Sequence, residues 1–374
     1  MVSVRVVLSL AVHSSWPLFQ LDVNNAFLYG DLSEDVYMSQ PEGYHSKGDI
    51  RVCKLIKSLY GLKQAPRKWN EKLSHSLSIF GFKQSMNDYS IFVRNHENTI
   101  VILLVYVDDI IITGNSNAEL ENVKKFLKSQ FFIKDLGELK YFLGIEVIKT
   151  DKGICLNQRK YCLELLHEFG MLGCKPVKTP LETNLVLKRE SDLDKSDCVV
   201  NITEFQKLIG KLIYLTKTRP DISYAVHILS QYMHKPHKSH LKVAFRLLRY
   251  LKNCPGKGVH ITKDNSLNIT AYVDADWAKC LFSRRSVTGF LVYFGNSLVS
   301  WKSKKQSTVS RSSTESEYRA LGFVACEIIW ILKLLFDFGI NGLTPVNVFC
   351  DNESAVKLAL NPVFHEKTKH FENA

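Results

Sequence analysis

The chain has little of what marks a disulfide-rich, zinc-ribbon or membrane protein. Its nine cysteines are odd in number and show no regular CxxC spacing, which argues against a disulfide framework or zinc ribbon and favours free thiols in a reducing compartment. A long apolar stretch at residues 320–340 contains Glu327, Lys333 and Asp337. Charges at these positions predict a helix with one buried face and no membrane span.

Acidic residues are also in short supply. The chain has 37 Asp and Glu against 49 Lys and Arg, a net charge of +12. A positive excess of this size supports a polyanion partner, although many basic proteins bind none. With 374 residues, 45% hydrophobic and 23% charged, the chain is suited to two or three globular domains.

Two adjacent carboxylates stand between two apolar runs. Asp108 and Asp109 follow residues 102–105 and precede residues 110–112, which predicts a β-hairpin with both acids at its tip. Neighbouring carboxylates raise each other's pKa, and a divalent cation is the usual means of keeping both ionised. An ordinary exposed turn is the alternative for this segment alone. Asp22, at the end of another apolar run, can join the pair and complete an oxygen-rich cluster that suits Mg²⁺.

With Asp22 included, the chain resembles the reverse transcriptase of copia-type retrotransposons, through segments in that family's order: residues 19–44, 58–69, 104–114 and 135–146. The resemblance implies a palm in which Asp22, Asp108 and Asp109 hold two Mg²⁺ ions, with Mn²⁺ as an alternative. These ions would activate a DNA primer 3′ hydroxyl and neutralise the dNTP triphosphate on an RNA template.

The same resemblance implies nucleotide contacts near the metals. Phe27 matches an aromatic residue that obstructs a ribose 2′ hydroxyl, and an ordinary core phenylalanine is the alternative. Tyr60, Gly61 and Gln64 belong to a loop that would lie over the template–dNTP pair. This loop precedes Pro66, which fits the first turn of a helix.

The middle of the chain reads as helical. Residues 205–251 have a helical pattern broken at residues 219–221 and 235–237, after a polar loop at residues 188–197. Four histidines occur here without a cysteine or carboxylate to complete a metal set, so they are expected to face solvent or a groove: His227, His234, His237 and His240. Basic residues spaced three to four apart predict a phosphate-tracking face or a plain solvated one: Lys235, Lys238, Lys242, Arg246, Arg249 and Lys252.

A second acidic constellation follows in the order strand, helix, strand. Asp274 lies in an apolar strand, and a carboxylate on the buried side of a central strand is expected to need a partner or a metal. Glu315 and Glu317 open a helix with a capping-box pattern, and Asp351 ends a later strand. Each has an ordinary alternative: a strand-end turn for Asp274, a cap for Glu315 and a helix N-terminal charge for Asp351.

Together these residues resemble a copia-type ribonuclease H domain. The resemblance implies that Asp274, Glu317 and Asp351 hold two metal ions that activate water to cut the RNA strand of an RNA–DNA hybrid, with Glu315 as a cap. Binding would depend on hybrid shape and 2′ hydroxyls and not on sequence. His365 matches a mobile histidine that aids product release. Basic residues near the helix are expected to contact phosphates: Lys302, Lys304, Lys305 and Arg311.

The expected architecture is therefore α+β and α/β. It comprises a reverse transcriptase palm at residues 1–150 with residues 6–12 as a helix packed beside it, a helical thumb or connection at 151–260, and a mixed ribonuclease H-like sheet at 261–374. The fingers are expected to be largely missing, and the final nuclease Asp falls on Ala374. These departures predict a Pol polyprotein fragment of doubtful activity, in a cytoplasmic particle or the nucleus. The alternative is a non-catalytic, basic nucleic-acid-binding remnant.

Overall fold

A computed structural model describes residues 1–44, 48, 50–183, 185, 187, 201–264 and 266–361. The described elements are helices and strands, and they include short 3-10 helices at Ala26–Tyr29 and Pro220–Ile222. In chain order the main elements are α1 (Val2–His13), β1 (Leu18–Val23), β2 (Asp31–Ser39), β3 (Val52–Lys57), α2 (Ala65–Ile79), β4 (Lys83–Gln84), β5 (Ile91–His96), β6 (Thr99–Tyr106), β7 (Asp109–Gly114), α3 (Asn117–Gln130), β8 (Ile133–Glu138), β9 (Tyr141–Phe142), β10 (Ile145–Thr150), β11 (Gly153–Asn157), α4 (Arg159–Glu168), α5 (Ile202–Leu215), α6 (Ser223–Ser230), α7 (Lys238–Asn253), β12 (Val259–Thr262), β13 (Ile269–Asp276), β14 (Val287–Phe294), β15 (Ser297–Lys305), α8 (Ser313–Asp337), β16 (Asn347–Phe349) and α9 (Glu353–Leu360).

The chain divides into two compact units. The six-stranded unit comprises Ser14–Leu139 and Lys333–Asn341, and the two-sheet unit comprises Met1–His13, Lys140–Leu332 and the residues from Gly342 onward. This division differs from the boundary expected at residue 150. The two units are defined by how densely their residues pack, and this does not test functional boundaries. The three domains inferred from the resemblance therefore stay a prediction.

The six-stranded unit contains one antiparallel sheet in the order β4-β5-β6-β7-β1-β8 and a separate β2-β3 pair. Helices α2 and α3 cover one face of the large sheet, where they enclose a core that includes Leu73, Leu103 and Leu120. Pro66 lies in the first turn of α2, as predicted, because its missing N–H is not needed there. The helices thus support the strands that carry the first acidic cluster.

The two-sheet unit contains two four-stranded sheets, β12-β11-β10-β9 and β15-β14-β13-β16. In the second sheet, β13, β14 and β15 are successive antiparallel strands. Strand β16 follows α8 and pairs with β13 in parallel, with Thr270 opposite Asn347. This is the mixed sheet predicted from the sequence, and the parallel pairing brings the ends of β13 and β16 to the same edge.

Helix α1 forms as predicted, and the expectation that it packs beside the palm stays a prediction. It is part of the two-sheet unit. Buried Arg5 donates to the carbonyl oxygens of Val299, at 2.6 Å, and Lys217, at 3.0 Å, and lies over the Trp301 ring. Burial lowers the pKa of Arg5 to about 9. These contacts are far apart in sequence, so no local pattern signals them.

Helices α4 to α7 form a second hydrophobic core, with the predicted breaks near residues 220 and 236. The expectation of solvated histidines is wrong for His237 and His240, whose exposed fractions are 3% and 1%. The His240 ring stacks on Tyr232 with centroids 3.8 Å apart, and burial lowers the pKa of His240 to about 4. A neutral imidazole is therefore used here as a core residue.

Several cations of α7 bind the polypeptide itself. Arg249 donates to the Lys175 carbonyl at 2.8 Å, and Lys252 contacts the Leu172 carbonyl. Arg246 pairs with Glu182 at 3.0 Å. These contacts weaken the expectation of a continuous phosphate-tracking face on α7. In the described ranges, no helix is both long enough and apolar enough to cross a membrane.

Candidate active sites

The first acidic cluster is assembled by neighbouring strands. Asp22 on β1 is directly opposite Asp109 on β7 in the antiparallel register. Directly opposite residues have Cα atoms roughly 4.5 to 5.5 Å apart and side chains on one face. Asp108 lies in the two-residue turn between β6 and β7, because Tyr106 pairs with Asp109. The structure therefore brings together the three acids that the sequence predicts.

The turn that carries Asp108 is held by hydrogen bonds at both of its residues. Val107 has a φ of 56°, a left-handed conformation that a β-branched residue adopts only under strain. The indole N–H of buried Trp69 donates to the Val107 carbonyl oxygen at 2.7 Å. The Val23 backbone N–H donates to the Asp108 carbonyl oxygen at 2.8 Å. These bonds restrain the backbone next to both adjacent carboxylates.

The environment of Asp109 raises the pKa of its carboxyl group. Burial raises its pKa, and the charges of Asp108 and Asp22 act in the same direction. A hydrogen bond from the Gln20 side-chain amide, at 3.0 Å, partly opposes the rise. Crowded carboxylates of this kind favour a bound cation, because a divalent ion removes the repulsion between them.

The predicted nucleotide contacts lie close to these acids. The Phe27 and Tyr60 rings meet with centroids 4.5 Å apart. Burial raises the pKa of Tyr60, as do the charges of Asp108 and Asp22, so its hydroxyl is within electrostatic reach of the cluster. Phe27 is half-buried and also packs against the hydrophobic core beneath it, so the nucleotide contact and the core role both stay predictions.

Gly61 and Gln64 complete the loop before α2. Gly61 has a φ of +95°, and a Cβ added there would meet no atom within 4 Å. A side chain would therefore fit in the space at this position. Glycine is favoured because other residues are strained at that φ. The Gln64 side chain hydrogen-bonds Glu34 of β2.

The second cluster begins on β13. Asp274 is exposed, whereas its neighbours Val273 and Ala275 are buried, in the alternation of a strand with one covered face. The expectation of a buried-side carboxylate is therefore wrong for Asp274. It lines an open cavity of about 270 Å³ together with Tyr224 and Lys302.

The start of α8 separates the roles of its two glutamates. Glu315 accepts the Arg311 backbone N–H at 2.7 Å, while its own N–H donates to the Ser312 hydroxyl at 3.1 Å. Ser312 thus caps α8 as predicted, but Glu315 accepts from the residue before the cap and not from Ser312, so the reciprocal bond of a capping box is shifted by one residue. Arg319 also donates to Glu315, at 3.0 and 3.1 Å. All of these partners belong to the helix start, so Glu315 acts as a cap.

Glu317 points to the ends of β13 and β16. One carboxylate oxygen accepts the Ala275 backbone N–H at 3.0 Å, beyond the point where the short β16 stops pairing with β13. Its exposed fraction is 5%. Burial raises the pKa of Glu317 to about 7, and the charges of Asp274 and Asp351 contribute in the same direction. The structure thus brings Asp274, Glu317 and Asp351 into one electrostatic cluster.

A cysteine joins this cluster. The ligand atoms of Glu317, Cys350 and Asp351 all lie within 4.8 Å of one another, and no other group of three meets that spacing in the part of the chain that the structure describes. Asp274 is near enough to shift the Glu317 pKa but is outside this tighter set. The trio Asp22, Asp108 and Asp109 is also more widely spaced.

Cationic side chains lie together on β15 and just before β14, in the four-stranded sheet that contains β13. Lys302, Lys304, Lys305 and Arg285 line a cavity of about 300 Å³. Lys305 also donates to the Gln231 side-chain oxygen at 2.7 Å. His365 and Ala374, which the sequence places in the nuclease, lie outside the described residues.

Sequence reasoning gave no site role to Trp69 or Cys350. The bond from Trp69 to the turn links residues 38 apart, and nothing in its helical pattern marks it. Cys350 had a usable signal, because it immediately precedes an acid at a strand end. A cysteine next to an aspartate in the sequence can supply two ligands, a sulfur and a carboxylate oxygen, to one metal ion.

The mixed α/β architecture fits a reverse transcriptase-like domain, and comparisons with known proteins identify its family. The chain matches the reverse transcriptase (RNA-dependent DNA polymerase) family over residues 1–183. It is 48% identical over 369 residues to the retrovirus-related Pol polyprotein from transposon RE1 of Arabidopsis thaliana, covering 98% of this chain and 25% of that protein. The corresponding protein from transposon TNT 1-94 of Nicotiana tabacum is 37% identical over 385 residues, covering 100% of this chain and 28% of that protein.

A shorter relative is covered completely. The putative transposon Ty5-1 protein of Saccharomyces cerevisiae is 31% identical over 312 residues, which is 82% of this chain and 100% of that protein. The chain therefore belongs to the reverse transcriptase family of copia-type retrotransposon Pol polyproteins. It spans about a quarter of the length of the Arabidopsis and tobacco polyproteins that it matches.

Proposed function

We propose that the six-stranded unit contains the palm of an RNA-directed DNA polymerase that uses an RNA template, a DNA primer and dNTPs. The observation that carries this proposal is the register that sets Asp22 opposite Asp109 with Asp108 in the adjoining turn. An all-carboxylate set suits Mg²⁺ or Mn²⁺, and the raised pKa of Asp109 supports the need for a cation. Ions held there would activate the primer hydroxyl and neutralise the triphosphate.

The neighbouring residues would position the nucleotide. The half-buried Phe27 ring, braced by Tyr60, would pack against the incoming sugar and obstruct a 2′ hydroxyl. Gly61 and Gln64 would line the loop over the template–dNTP pair. Residues 151–260, with the helices α4 to α7, would serve as the thumb or connection.

We propose that residues 261–374 form a ribonuclease H domain that acts on an RNA–DNA hybrid. The strand order β15-β14-β13-β16 with a parallel last strand supports this assignment. Asp274, Glu317 and Asp351 would hold the metal ions whose bound water attacks the RNA strand, and His365 would aid product release. The cavity lined by Lys302, Lys304 and Lys305 offers charge for hybrid phosphates.

Primer extension tests the polymerase proposal. The full chain is assayed on poly(A) primed with oligo(dT), with Mg²⁺ or Mn²⁺, beside Asp109→Asn and the control Asp151→Asn in the exposed β10–β11 turn. Extension that Asp109→Asn abolishes and the control retains supports the palm. Hybrid binding that weakens with salt, with neither extension nor cleavage, favours the non-catalytic remnant instead.

Hybrid cleavage tests the nuclease proposal separately. The informative pair is Asp274→Asn and Asp276→Asn, since both acids are exposed on β13 and two residues apart. Loss of cleavage only in Asp274→Asn supports the assignment. Equal loss in both variants, or unchanged cleavage in Asp274→Asn, contradicts it.

A further inference from the structure

The second acidic cluster has a ligand set that differs from an all-oxygen magnesium site. The Cys350 thiol donates to the second carboxylate oxygen of Glu317, with 3.7 Å between sulfur and oxygen, and both atoms are within 4.8 Å of an Asp351 oxygen. The first carboxylate oxygen of Glu317 is already held by the Ala275 N–H. Among the described residues, the other oxygen accepts only the thiol proton of Cys350, so a metal ion that replaces this proton would bind both the oxygen and the sulfur.

The spacing of these atoms fits a small tetrahedral ion. Zinc binds cysteine sulfur at about 2.3 Å and carboxylate oxygen at about 2.0 to 2.2 Å. Two such ligands at the tetrahedral angle are about 3.6 Å apart, close to the observed 3.7 Å. A cation could enter between Glu317 and Cys350 with little movement of either side chain.

The cluster is also open on one side. Glu317 is buried, Cys350 is partly exposed and Asp351 is exposed. Three protein ligands with one open position are the arrangement in which zinc keeps a water molecule. Cys350 and Asp351 are held in place because they stand between β16 and α9, whose cap Asn352 accepts the Ala355 N–H at 2.9 Å.

A cysteine that releases its thiol proton when a metal ion binds changes which ions such a site prefers. Mg²⁺ is hard and binds oxygen in octahedral geometry, whereas Zn²⁺ and Cd²⁺ bind sulfur strongly. We propose that Glu317, Cys350 and Asp351 form a site for a thiophilic divalent cation, with zinc as the biological ion, that competes with Mg²⁺ at this cluster. The competition with Mg²⁺ rests on the proposed nuclease function, but the binding of the thiophilic ion does not.

Metal–thiolate absorption tests the binding directly. Cd²⁺ is titrated into the reduced full chain, and the ultraviolet charge-transfer band of a Cd²⁺–thiolate bond is recorded. We expect a saturable band that is lost in Cys350→Ser and whose half-saturation rises at least about tenfold in Glu317→Gln. Cys326→Ser is the matched control, because Cys326 is an exposed cysteine of α8 outside the cluster, and it should retain the band.

A second measurement needs no variant. Zn²⁺ should slow alkylation of Cys350 by iodoacetamide in the unaltered chain, measured by peptide mass spectrometry, whereas Mg²⁺ at the same concentration should not. Alkylation of Cys326 should be unaffected by either ion. A charge-transfer band that survives in folded Cys350→Ser, or equal alkylation of Cys350 with and without Zn²⁺, overturns the proposal.

Hybrid cleavage separates this inference from the proposed function. Where Mg²⁺-dependent cleavage occurs, Zn²⁺ should inhibit it, and added Mg²⁺ should restore it. A chain that binds Cd²⁺ through Cys350 but cleaves no hybrid contradicts the nuclease assignment and leaves the metal site standing. A chain that cleaves hybrid but shows no thiolate band contradicts only the metal site.

Discussion

The two acidic clusters are built by different means. Asp22, Asp108 and Asp109 are brought together by adjacent antiparallel strands and one tight turn. Glu317 lies near the start of the long helix α8, and Asp351 follows β16, which pairs in parallel with β13. The first cluster contains oxygen ligands only, whereas the second includes a sulfur and a buried glutamate whose pKa is about 7. Local strand geometry can thus set the first cluster, while the second depends on packing between distant segments.

The largest expected effect comes from removing one acid of the first cluster. Asp109→Asn should lower primer extension by roughly 100-fold or more, because a lost metal ligand removes several kcal/mol of transition-state stabilisation. Hybrid cleavage should stay within about twofold of the unaltered chain, since its acids lie on a different sheet. Steady-state assays of both activities check this.

The reciprocal variant completes that comparison. Asp351→Asn should lower cleavage by a similar factor and leave extension unchanged. Parallel loss of both activities in either variant would mean that the two clusters are not independent.

A smaller effect is expected from the turn of the first cluster. Trp69→Phe keeps a ring that can pack near Tyr29 and Phe131 but leaves the Val107 carbonyl without its donor, at a cost of about 1 to 2 kcal/mol. We expect kcat for extension to fall about tenfold while KM for dNTP changes little. A purely structural role would lower the melting temperature and leave the kcat of the folded fraction unchanged.

Val107→Gly sharpens this test. Glycine adopts a φ of 56° without strain, so the turn should depend less on the indole. Trp69→Phe should therefore lower kcat less in the Val107→Gly background. Equal effects in both backgrounds, measured as a double-mutant cycle, would contradict a role of the indole in holding the strained turn.

In the second cluster, removing a charge should increase stability. The folded-state pKa of Glu317 is raised from 4.5 to about 7, so the fold loses stability as the pH rises between these two values, and the loss is complete at pH 8. Glu317→Gln should raise the melting temperature by a few degrees at pH 8 in metal-free buffer and have little effect near pH 4. Calorimetry at the two pH values measures this. A lower melting temperature for Glu317→Gln at pH 8 would show that packing outweighs repulsion.

A carboxylate in the opposite environment provides the contrast. Burial alone would raise the pKa of Asp221, but hydrogen bonds from Arg219 and Tyr250 outweigh burial and lower the pKa to about 2. A depressed folded-state pKa adds stability that is present above about pH 4 and lost as the pH falls towards 2. Melting temperatures across that range should therefore fall more steeply for the unaltered chain than for Asp221→Asn.

The sequence by itself determined the residues of both clusters and most of the local structure around them. Alternation and turn residues predicted the β6–β7 hairpin, because strand period and turn chemistry are local properties. The cap at Ser312 and Glu315 was readable for the same reason. The resemblance to copia-type reverse transcriptases rested on short motifs, and the family comparisons confirm it.

Only the tertiary structure decided which side chains meet across long separations. Arg5 bonds to Val299, Trp69 holds Val107, Cys350 faces Glu317, and His240 is enclosed by the helical core. The residue pattern of a helix or strand predicts which of its faces is buried, but it does not predict which side chains that face will contact. The partner is set by register and packing, which depend on the whole chain.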